Sequence, residues 1–491
     1  MITRVKRDFR VVTLSVLLFC SGSPSVYAQG SINLPDFGDS SGRLITPEEE
    51  RKFGKRFYEF INEKATLNKD LEVHEYIESL GQHLVKGSDL SQAPFHFFVV
   101  MDPAINAFAG PGGYIGINAG LILKSNREGE LASVMAHEIA HVTQRHLYRA
   151  YEASKQLSVP ATMATIASLL LGFVSPELAQ AALIATQAGN IQYQINFTRD
   201  NEQEADRVGM QILSQSEYDP RNMVAFFETL QNASRLYGSG PPEFLRTHPL
   251  TTSRIADAAA RAEKFPRYNE KDNLTYELIK TKLELVEQED KPRQSSVVVD
   301  SDAHNTGLTG VQSLAEQYKQ ALIYSKTDQS RQALSLLRTL VQQHPEQLLF
   351  TTALASAEVQ AGNITKAVSI WKKAYQSAPL RLSILMPYVQ ALLDNQQTAE
   401  ARELLQHAIW NGARLPALYK ALAQAYYKQN QKAQAHRYLG EYHHLRGELE
   451  EAVTQLRLAA KTAQDNFYMT EIVAEQLKQI RKEIKGRKEE S

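Results

Sequence analysis

Cysteine is almost absent from this chain of 491 residues, because Cys20 is its single thiol. That absence excludes a disulfide framework and any zinc finger built on cysteine. Net charge is also nearly absent, since 54 Lys and Arg against 55 Asp and Glu give −1, so no basic field favours nucleic acid as a partner. The composition, 43% hydrophobic and 22% charged, argues against both disorder and a multi-span membrane protein. The length predicts two or three domains.

The first 28 residues have the pattern of a secretory signal peptide. A basic stretch precedes the short apolar segment 11–20, and Val26-Tyr27-Ala28 has small residues at positions −3 and −1. An apolar segment this short does not span a bilayer. We therefore predict cleavage after Ala28 and export to a periplasm. The alternatives are a buried N-terminal helix and a lipoprotein anchored at Cys20, which the bulky Phe19 disfavours.

Local sequence patterns predict both helices and strands in the first part of the chain, and helices after it. Residues 46–49 read Thr-Pro-Glu-Glu, a capping box with proline at the first helical position, and predict a helix toward Lys64. A second amphipathic helix is predicted over 70–86. The aromatic and β-branched residues of 95–100 and 114–117 predict two strands. Beyond these strands, nearly every segment has a helical pattern.

The C-terminal part of the chain contains an internal repeat. A small alanine in a similar context recurs every 34 residues, at Ala333, Ala367, Ala401 and Ala435. This is the period of tetratricopeptide repeats, in which close contact between paired helices needs small residues. Residues 287–311, rich in Ser, Asp and Gly, are the predicted linker before a repeat domain over 312–491.

The chemistry is predicted to lie in the segment His-Glu-Ile-Ala-His. His137 and His141 are one helical turn apart on the same face, so both imidazoles can reach one zinc ion. Glu138 can contact a water molecule beside the ion without being a ligand, as a general base does. The preceding apolar turns predict that this helix is buried, where unpaired histidines would be costly.

A third ligand must come from elsewhere in the chain. His146 is predicted to lie on the opposite helix face, because no glycine interrupts the helix and turns this side chain toward the other two histidines. A second helix offers Glu202 and Asp206, one turn apart on a shared face, whereas Glu204 is on the other side. Glu202 is therefore the predicted ligand, and Asp206 the carboxylate that orients a ligating histidine.

Together these motifs resemble peptidase family M48. The chain carries His137-Glu138-Ile139-Ala140-His141, downstream Glu202-x-x-Ala205-Asp206, Thr247-His248-Pro249 with Arg254-Ile255, and the segment Asn106-Ala107-Phe108-Ala109. The resemblance implies one Zn²⁺ per chain, with the third ligand from the first residue of the second motif. It also implies the fold class: mainly α with a small β-sheet, a zincin-type α+β metallopeptidase domain followed by an α-solenoid of tetratricopeptide repeats. The expected domains are a signal peptide (1–28), the metallopeptidase (29–286), the linker and the repeats.

The same layout implies a function in bacteria with two membranes. Family members organised in this way act on unfolded or stalled outer-membrane β-barrel proteins, beside the outer-membrane barrel-assembly machinery. The expectation is a periplasmic zinc endopeptidase with chaperone-like quality control, which promotes assembly and degrades misassembled barrels. The alternative is mainly a scaffold or chaperone with a latent zinc site. The repeats would contact the assembly machinery, and nucleic acid is not expected as a partner.

Two regions keep more than one interpretation. His248 is a candidate fourth ligand or oxyanion donor, or a loop histidine packed beside Pro249, and we favour a latent state in which it occupies the fourth zinc position. The apolar segment 159–189 is predicted to lie on a membrane surface, to cover the cleft as a lid, or to pack against the solenoid. Residues 106–109 are predicted to pair with extended substrate as an edge strand.

Overall fold

The computed structural model describes most of the chain, in the ranges 46–150, 191–236, 242–269, 273–290, 310–379, 381–463 and 466–489. The predicted signal peptide and the apolar segment 159–189 lie outside these described residues, as does most of the predicted linker. Within the described ranges, no helix is both long enough and apolar enough to cross a membrane.

The first two helices begin at the capping residues that the sequence predicts. Helix α1 (Pro47–Lys64) starts with a complete capping box: the Glu49 N–H donates to Thr46 Oγ1, and the Thr46 N–H donates to Glu49 Oε2 at 2.8 Å. Helix α2 (Leu71–Lys86) is capped by Asp70, whose side chain accepts a hydrogen bond from a backbone N–H of the first turn.

Three short strands form one sheet. Its strands are β1 (His96–Val100), β2 (Ala107–Ala109) and β3 (Tyr114–Asn118), in the order β1-β3-β2. The central strand β3 pairs parallel with β1 and antiparallel with β2, so β2 is an edge strand. Gly116 leaves room for the Phe108 ring of the paired strand, because a Cβ there would lie 2.3 Å from that ring.

The described residues of the N-terminal half form further helices, which pack on one central helix or on its neighbours. They are α3 (Ala119–Lys124), α4 (Glu128–Thr143), α5 (Ile191–Gln215), α6 (Arg221–Leu236), α7 (Glu243–Thr247), α8 (Thr252–Ala262) and α9 (Leu274–Asp290). Helix α4 is buried over residues 129–140 and packs against α2, α5, α6 and β2. Gly209 lets α5 approach α4 closely, since a Cβ there would lie 3.3 Å from the backbone of His137.

The C-terminal half, from α10 to α19, is an array of paired helices that we call the repeat array. Its helices are α10 (Gly310–Lys326), α11 (Ser330–Gln343), α12 (Leu348–Gln360), α13 (Ile364–Ser377), α14 (Leu382–Asp394), α15 (Thr398–Trp410), α16 (Pro416–Lys428), α17 (Lys432–Leu445), α18 (Leu449–Thr462) and α19 (Phe467–Glu489). The four periodic alanines lie buried on the second helix of successive pairs. The predicted fold class is confirmed. Helix α9 covers residues 287–290 of the predicted linker, and α10 covers 310–311.

Polar side chains join the repeat array to helix α2. The carboxylate of Glu75 accepts hydrogen bonds from the backbone N–H of Ser383 at 2.8 Å and from its hydroxyl at 2.5 Å. Arg381 Nε lies 3.3 Å from the same carboxylate. One turn away, Glu72 accepts a hydrogen bond from Thr352 Oγ1 at 2.5 Å. Two acidic side chains of α2 thus add polar contacts between the array and the N-terminal half, beside the apolar core that the two halves share.

Candidate metal centre

Helix α4 brings two histidines together inside the core. His137 is buried and His141 is half-buried, and their Nε2 atoms lie 3.0 Å apart. This follows from the spacing, because residues i and i+4 lie one above the other on the same face of a helix. Two imidazole nitrogens at this separation can ligate the same ion.

Helix α5 supplies two buried carboxylates that face these histidines. Glu202 Oε2 lies 3.4 Å from His137 Nε2, and Glu202 Oε1 lies 3.4 Å from His141 Nε2. Asp206 Oδ1 lies 3.1 Å from Nδ1 of His137, the other nitrogen of that ring. A carboxylate in this position fixes the tautomer and the orientation of a ligating histidine.

His248 lies just after α7 and inside the same cluster. Its backbone N–H donates to the Phe244 carbonyl at 2.7 Å, and its ring stacks on Phe244 with centroids 4.6 Å apart. Its Nδ1 atom lies 2.9 Å from Glu202 Oε1 and 3.4 Å from His137 Nε2. His248 is therefore a neighbour of the two histidines of α4, not an isolated loop residue beside Pro249.

The donor set fits a tetrahedral cation. One ligand atom from each of His137, His141, Glu202 and His248 can be chosen so that all four lie within 4.8 Å of one another. Nearest separations of 2.9 to 3.4 Å join these side chains. Ligands about 2.0–2.2 Å from a tetrahedral zinc ion would stand about 3.3–3.6 Å apart. Nitrogen and carboxylate donors are those that zinc prefers.

The buried carboxylates of the cluster favour a positive charge on His137. Burial alone would lower the pKa of His137, but hydrogen bonds to Asp206 and Glu202 raise it to about 10. Burial holds the pKa of His141 well below its ordinary value. A proton on His137 thus provides the positive charge in the metal-free chain, and a divalent cation would replace it.

Arg254 of α8 contacts both of these carboxylates and holds them in position. Its guanidinium is buried and donates two hydrogen bonds of 2.7 Å to the two oxygens of Asp206. A third nitrogen, Nη1, lies 2.8 Å from Glu202 Oε2. The sequence places Arg254 in the third motif of the family, but no local spacing reveals that it bridges two acidic residues of another helix.

Glu138 is buried beside the cluster and only partly satisfied. Among the described residues its Oε1 atom has no hydrogen-bond partner, and His248 Nε2 lies 3.5 Å from it. Burial raises the pKa of this carboxyl, against the opposing electrostatic effects of His248 and His137 and a weaker one from a hydrogen bond with the backbone of Ala109. That contact joins the centre to strand β2. In the segment predicted to capture substrate, Asn106, Ala107 and Phe108 are buried and Ala109 is half-buried.

The prediction that His146 lies on the opposite helix face is wrong, although its exclusion as the third ligand agrees with the described cluster. Helix α4 ends at Thr143, and Arg145 adopts a positive φ of 54°, so the chain turns without a glycine. His146 Nδ1 then lies 2.9 Å from Nδ1 of His141. It does not belong to the four-residue cluster. Glu204, which the sequence sets aside as a ligand, contacts His146 and Arg149.

Comparison with known proteins agrees with this geometry. Residues 72–262 match peptidase family M48. The beta-barrel assembly-enhancing protease of Escherichia coli is 32% identical over 464 residues, which cover 94% of this chain and 93% of the relative. A relative from Vibrio cholerae is 38% identical over 354 residues, 70% of this chain and 71% of its own. The mitochondrial metalloendopeptidase OMA1 of Schizosaccharomyces pombe is 28% identical over 180 residues, 37% of this chain and 50% of that relative.

The fold, the buried donor set and these relatives define the class of protein, a zinc metallopeptidase. The predicted cofactor, Zn²⁺, is thereby confirmed. The resemblance that the motifs suggested also holds over nearly the whole length. The chain belongs to peptidase family M48.

Proposed function

We propose that the chain is an exported zinc endopeptidase that works in a periplasm on outer-membrane β-barrel proteins, promoting their assembly and degrading those that misassemble. The observation that carries the peptidase assignment is the grouping of His137, His141 and Glu202, with Glu138 Oε1 beside them lacking a hydrogen-bond partner among the residues that the structure describes. The printed name of the Escherichia coli relative supports the substrate class. The N-terminal pattern of the sequence supports export, with cleavage after Ala28.

In this proposal His137, His141 and Glu202 hold the ion. When bound, zinc supplies a Lewis acid that polarises the scissile carbonyl and makes a water molecule acidic. Glu138 accepts a proton from the attacking water at Oε1 and later delivers it to the leaving amine. Asp206 holds the proton on His137 Nδ1 and so leaves Nε2 free, while Arg254 keeps both acidic side chains of α5 in place.

Substrate capture is assigned to edge strand β2. An extended peptide can add to the free edge of a sheet through main-chain hydrogen bonds, which tolerate many sequences. The contact between Ala109 and Glu138 supports this assignment, because it keeps the edge strand next to the general base. The proposed organisation has a signal peptide (1–28), a peptidase (29–286), a linker (287–311) and repeats (312–491) that contact the barrel-assembly machinery.

A digestion experiment tests the proposal. The zinc-loaded mature chain, from Gln29, is incubated with a urea-unfolded outer-membrane β-barrel protein, beside Glu138→Gln at equal zinc content. Glu130→Gln is the matched control, since Glu130 is another buried glutamate of α4 that lies outside the cluster. We expect cleavage by the wild type and the control, and none by Glu138→Gln. Equal cleavage by all three would contradict the assignment of Glu138.

A second function, assembly support by a largely latent enzyme, is favoured by one contact. Nδ1 of His248 lies 2.9 Å from Glu202 Oε1, and His248 is one of the four grouped residues that could hold the ion. On this interpretation His248 blocks the position that substrate needs, so His248→Ala should cleave faster than the wild type. Unchanged or slower cleavage would count against latency, and slower cleavage would favour a role of His248 as oxyanion donor. Glu138→Gln should keep any chaperone activity, measured as suppression of barrel-protein aggregation.

A further inference from the structure

His146 connects the metal centre to a second acidic group. Its ring is buried and meets the ring of His141 edge to face, with centroids 4.8 Å apart. One nitrogen, Nδ1, lies 2.9 Å from His141 Nδ1, and the other, Nε2, lies 3.1 Å from Glu204 Oε2. Arg149 Nη1 donates to the same carboxylate oxygen at 2.8 Å. Both nitrogens of His146 are therefore engaged.

The proton positions in the hydrogen bonds from His141 through His146 to Glu204 follow from which atoms can donate and which can only accept. Glu204 accepts only, so His146 must donate from Nε2. A neutral His146 then has a lone pair on Nδ1, which accepts the Nδ1 proton of His141. With its proton held on Nδ1, His141 presents an unprotonated Nε2 to the cluster. This is the tautomer that metal coordination requires.

We propose that His146 and Glu204 are positioning residues, which fix the tautomer and ring orientation of His141 as Asp206 does for His137. His141 thus has an outer partner of a different kind: a second histidine backed by a carboxylate, instead of a carboxylate directly. Arg149 holds Glu204 in place from the other side. The inference rests on the proposed role of His141 as a zinc ligand.

Two substitutions of nearly equal size separate this role from packing. In His146→Asn, the amide oxygen can replace the Nδ1 acceptor and keep the proton of His141 in place. In His146→Leu, the volume is similar but no acceptor remains. We expect the leucine variant to bind zinc about 10–100-fold more weakly, as is usual when the outer partner of a ligating histidine is lost. The asparagine variant should stay within about threefold of the wild type.

The readouts are the zinc dissociation constant, from competition with a chromophoric chelator, and the visible spectrum of the cobalt-substituted protein. His83→Leu is the control, because His83 is a part-buried histidine whose Nε2 contacts a backbone carbonyl, of Ser216, outside the cluster. Its zinc affinity and cobalt spectrum should match the wild type. The spectrum of His146→Leu should change, because the His141 ring is no longer held in one orientation.

Each outcome decides the question. Wild-type zinc affinity in a folded His146→Leu protein, or equal weakening in the leucine and asparagine variants, would overturn the inference. If His146→Leu does not fold, Glu204→Met decides with the same readouts, because methionine has a similar length but no oxygen to accept the His146 Nε2 proton: we expect about threefold or more loss of zinc affinity, and wild-type affinity would overturn the inference. Failure of the wild-type chain itself to bind zinc would instead contradict the proposed function.

Discussion

The metal centre and the repeat array bury side chains to a similar degree but of opposite character. Around α4 and α5 the buried residues include histidines and acids, with Arg254 between two of the acids. In the repeat array the comparable positions hold alanines such as Ala401, which is fully buried. Burying a charge costs free energy unless it is paired, whereas packing small apolar residues stabilises directly.

This contrast distinguishes the residues that form the site from the residues whose role is helix packing. The charged groups of the centre are held by one another, so removing one leaves its partners buried and unpaired. The alanines of the array have a steric role, since they let paired helices approach closely. Substitutions in the centre should therefore alter zinc binding, catalysis and stability together, whereas substitutions at the buried alanines of the array should alter stability alone.

The largest effect on stability is expected from Arg254→Met. The change leaves Asp206 and Glu202 buried without their shared cation, so the free energy of unfolding should fall by about 3–5 kcal/mol. Urea denaturation of the zinc-free protein measures this difference. Arg261→Met is the matched control, because its ion pair with Asp257 is one-third exposed. That control should lose no more than about 1 kcal/mol. Equal losses in the two variants would show that the ion pairs of Arg254 stabilise the protein no more than the partly exposed pair of Arg261.

Zinc affinity should depend steeply on pH. Because the pKa of His137 is raised to about 10 in the metal-free chain, zinc must displace one proton at neutral pH. The dissociation constant should then fall about tenfold for each pH unit of increase below pH 10, which corresponds to about 1.4 kcal/mol. Chelator competition at several pH values measures the slope. A slope near zero would show that His137 is already unprotonated before zinc binds.

A smaller effect is expected from Ala401→Leu in α15. Adding atoms at this fully buried contact should lower the free energy of unfolding by about 1–3 kcal/mol through overpacking. Zinc affinity and turnover should not change. Ala399→Leu on the same helix is the control, since Ala399 is exposed. If the two variants unfold at the same urea concentration, the periodic alanines are not needed for close contact between the helices.

The smallest effect concerns the contact between the two halves. Arg381→Gln removes an ion pair with Glu75 in which the arginine is nearly half exposed. Such pairs contribute about 0–1 kcal/mol, and the hydrogen bonds from Ser383 to Glu75 remain. We expect urea unfolding to change by no more than that amount. A loss of several kcal/mol would show that the repeat array and the metal centre are one cooperative unit.

The sequence predicted the parts of this molecule that depend on short-range spacing. His137 and His141 follow from helical periodicity, as do Glu202 and Asp206, and the capping box at Thr46 marks a helix start that the structure has. The array follows from a period of 34 residues.

The parts that depend on irregular backbone or on distant packing were not predictable. The position of His146 depends on the positive φ of Arg145, which no glycine signalled. Arg254 reaches Asp206 across 48 residues of sequence, and only the packing of α8 against α5 brings them together. The family resemblance pointed to the right segment around Arg254, but not to its bridging role.

The zinc ligands can be identified by anomalous scattering at the zinc edge, from crystals of the zinc-loaded chain. We expect one strong peak per chain, about 2.0–2.2 Å from His137 Nε2, His141 Nε2 and a Glu202 carboxylate oxygen. His248 at the same distance would be the latent state. A peak at another place, or none at these residues in protein that contains one equivalent of zinc, would show that His137, His141 and Glu202 are not the zinc site.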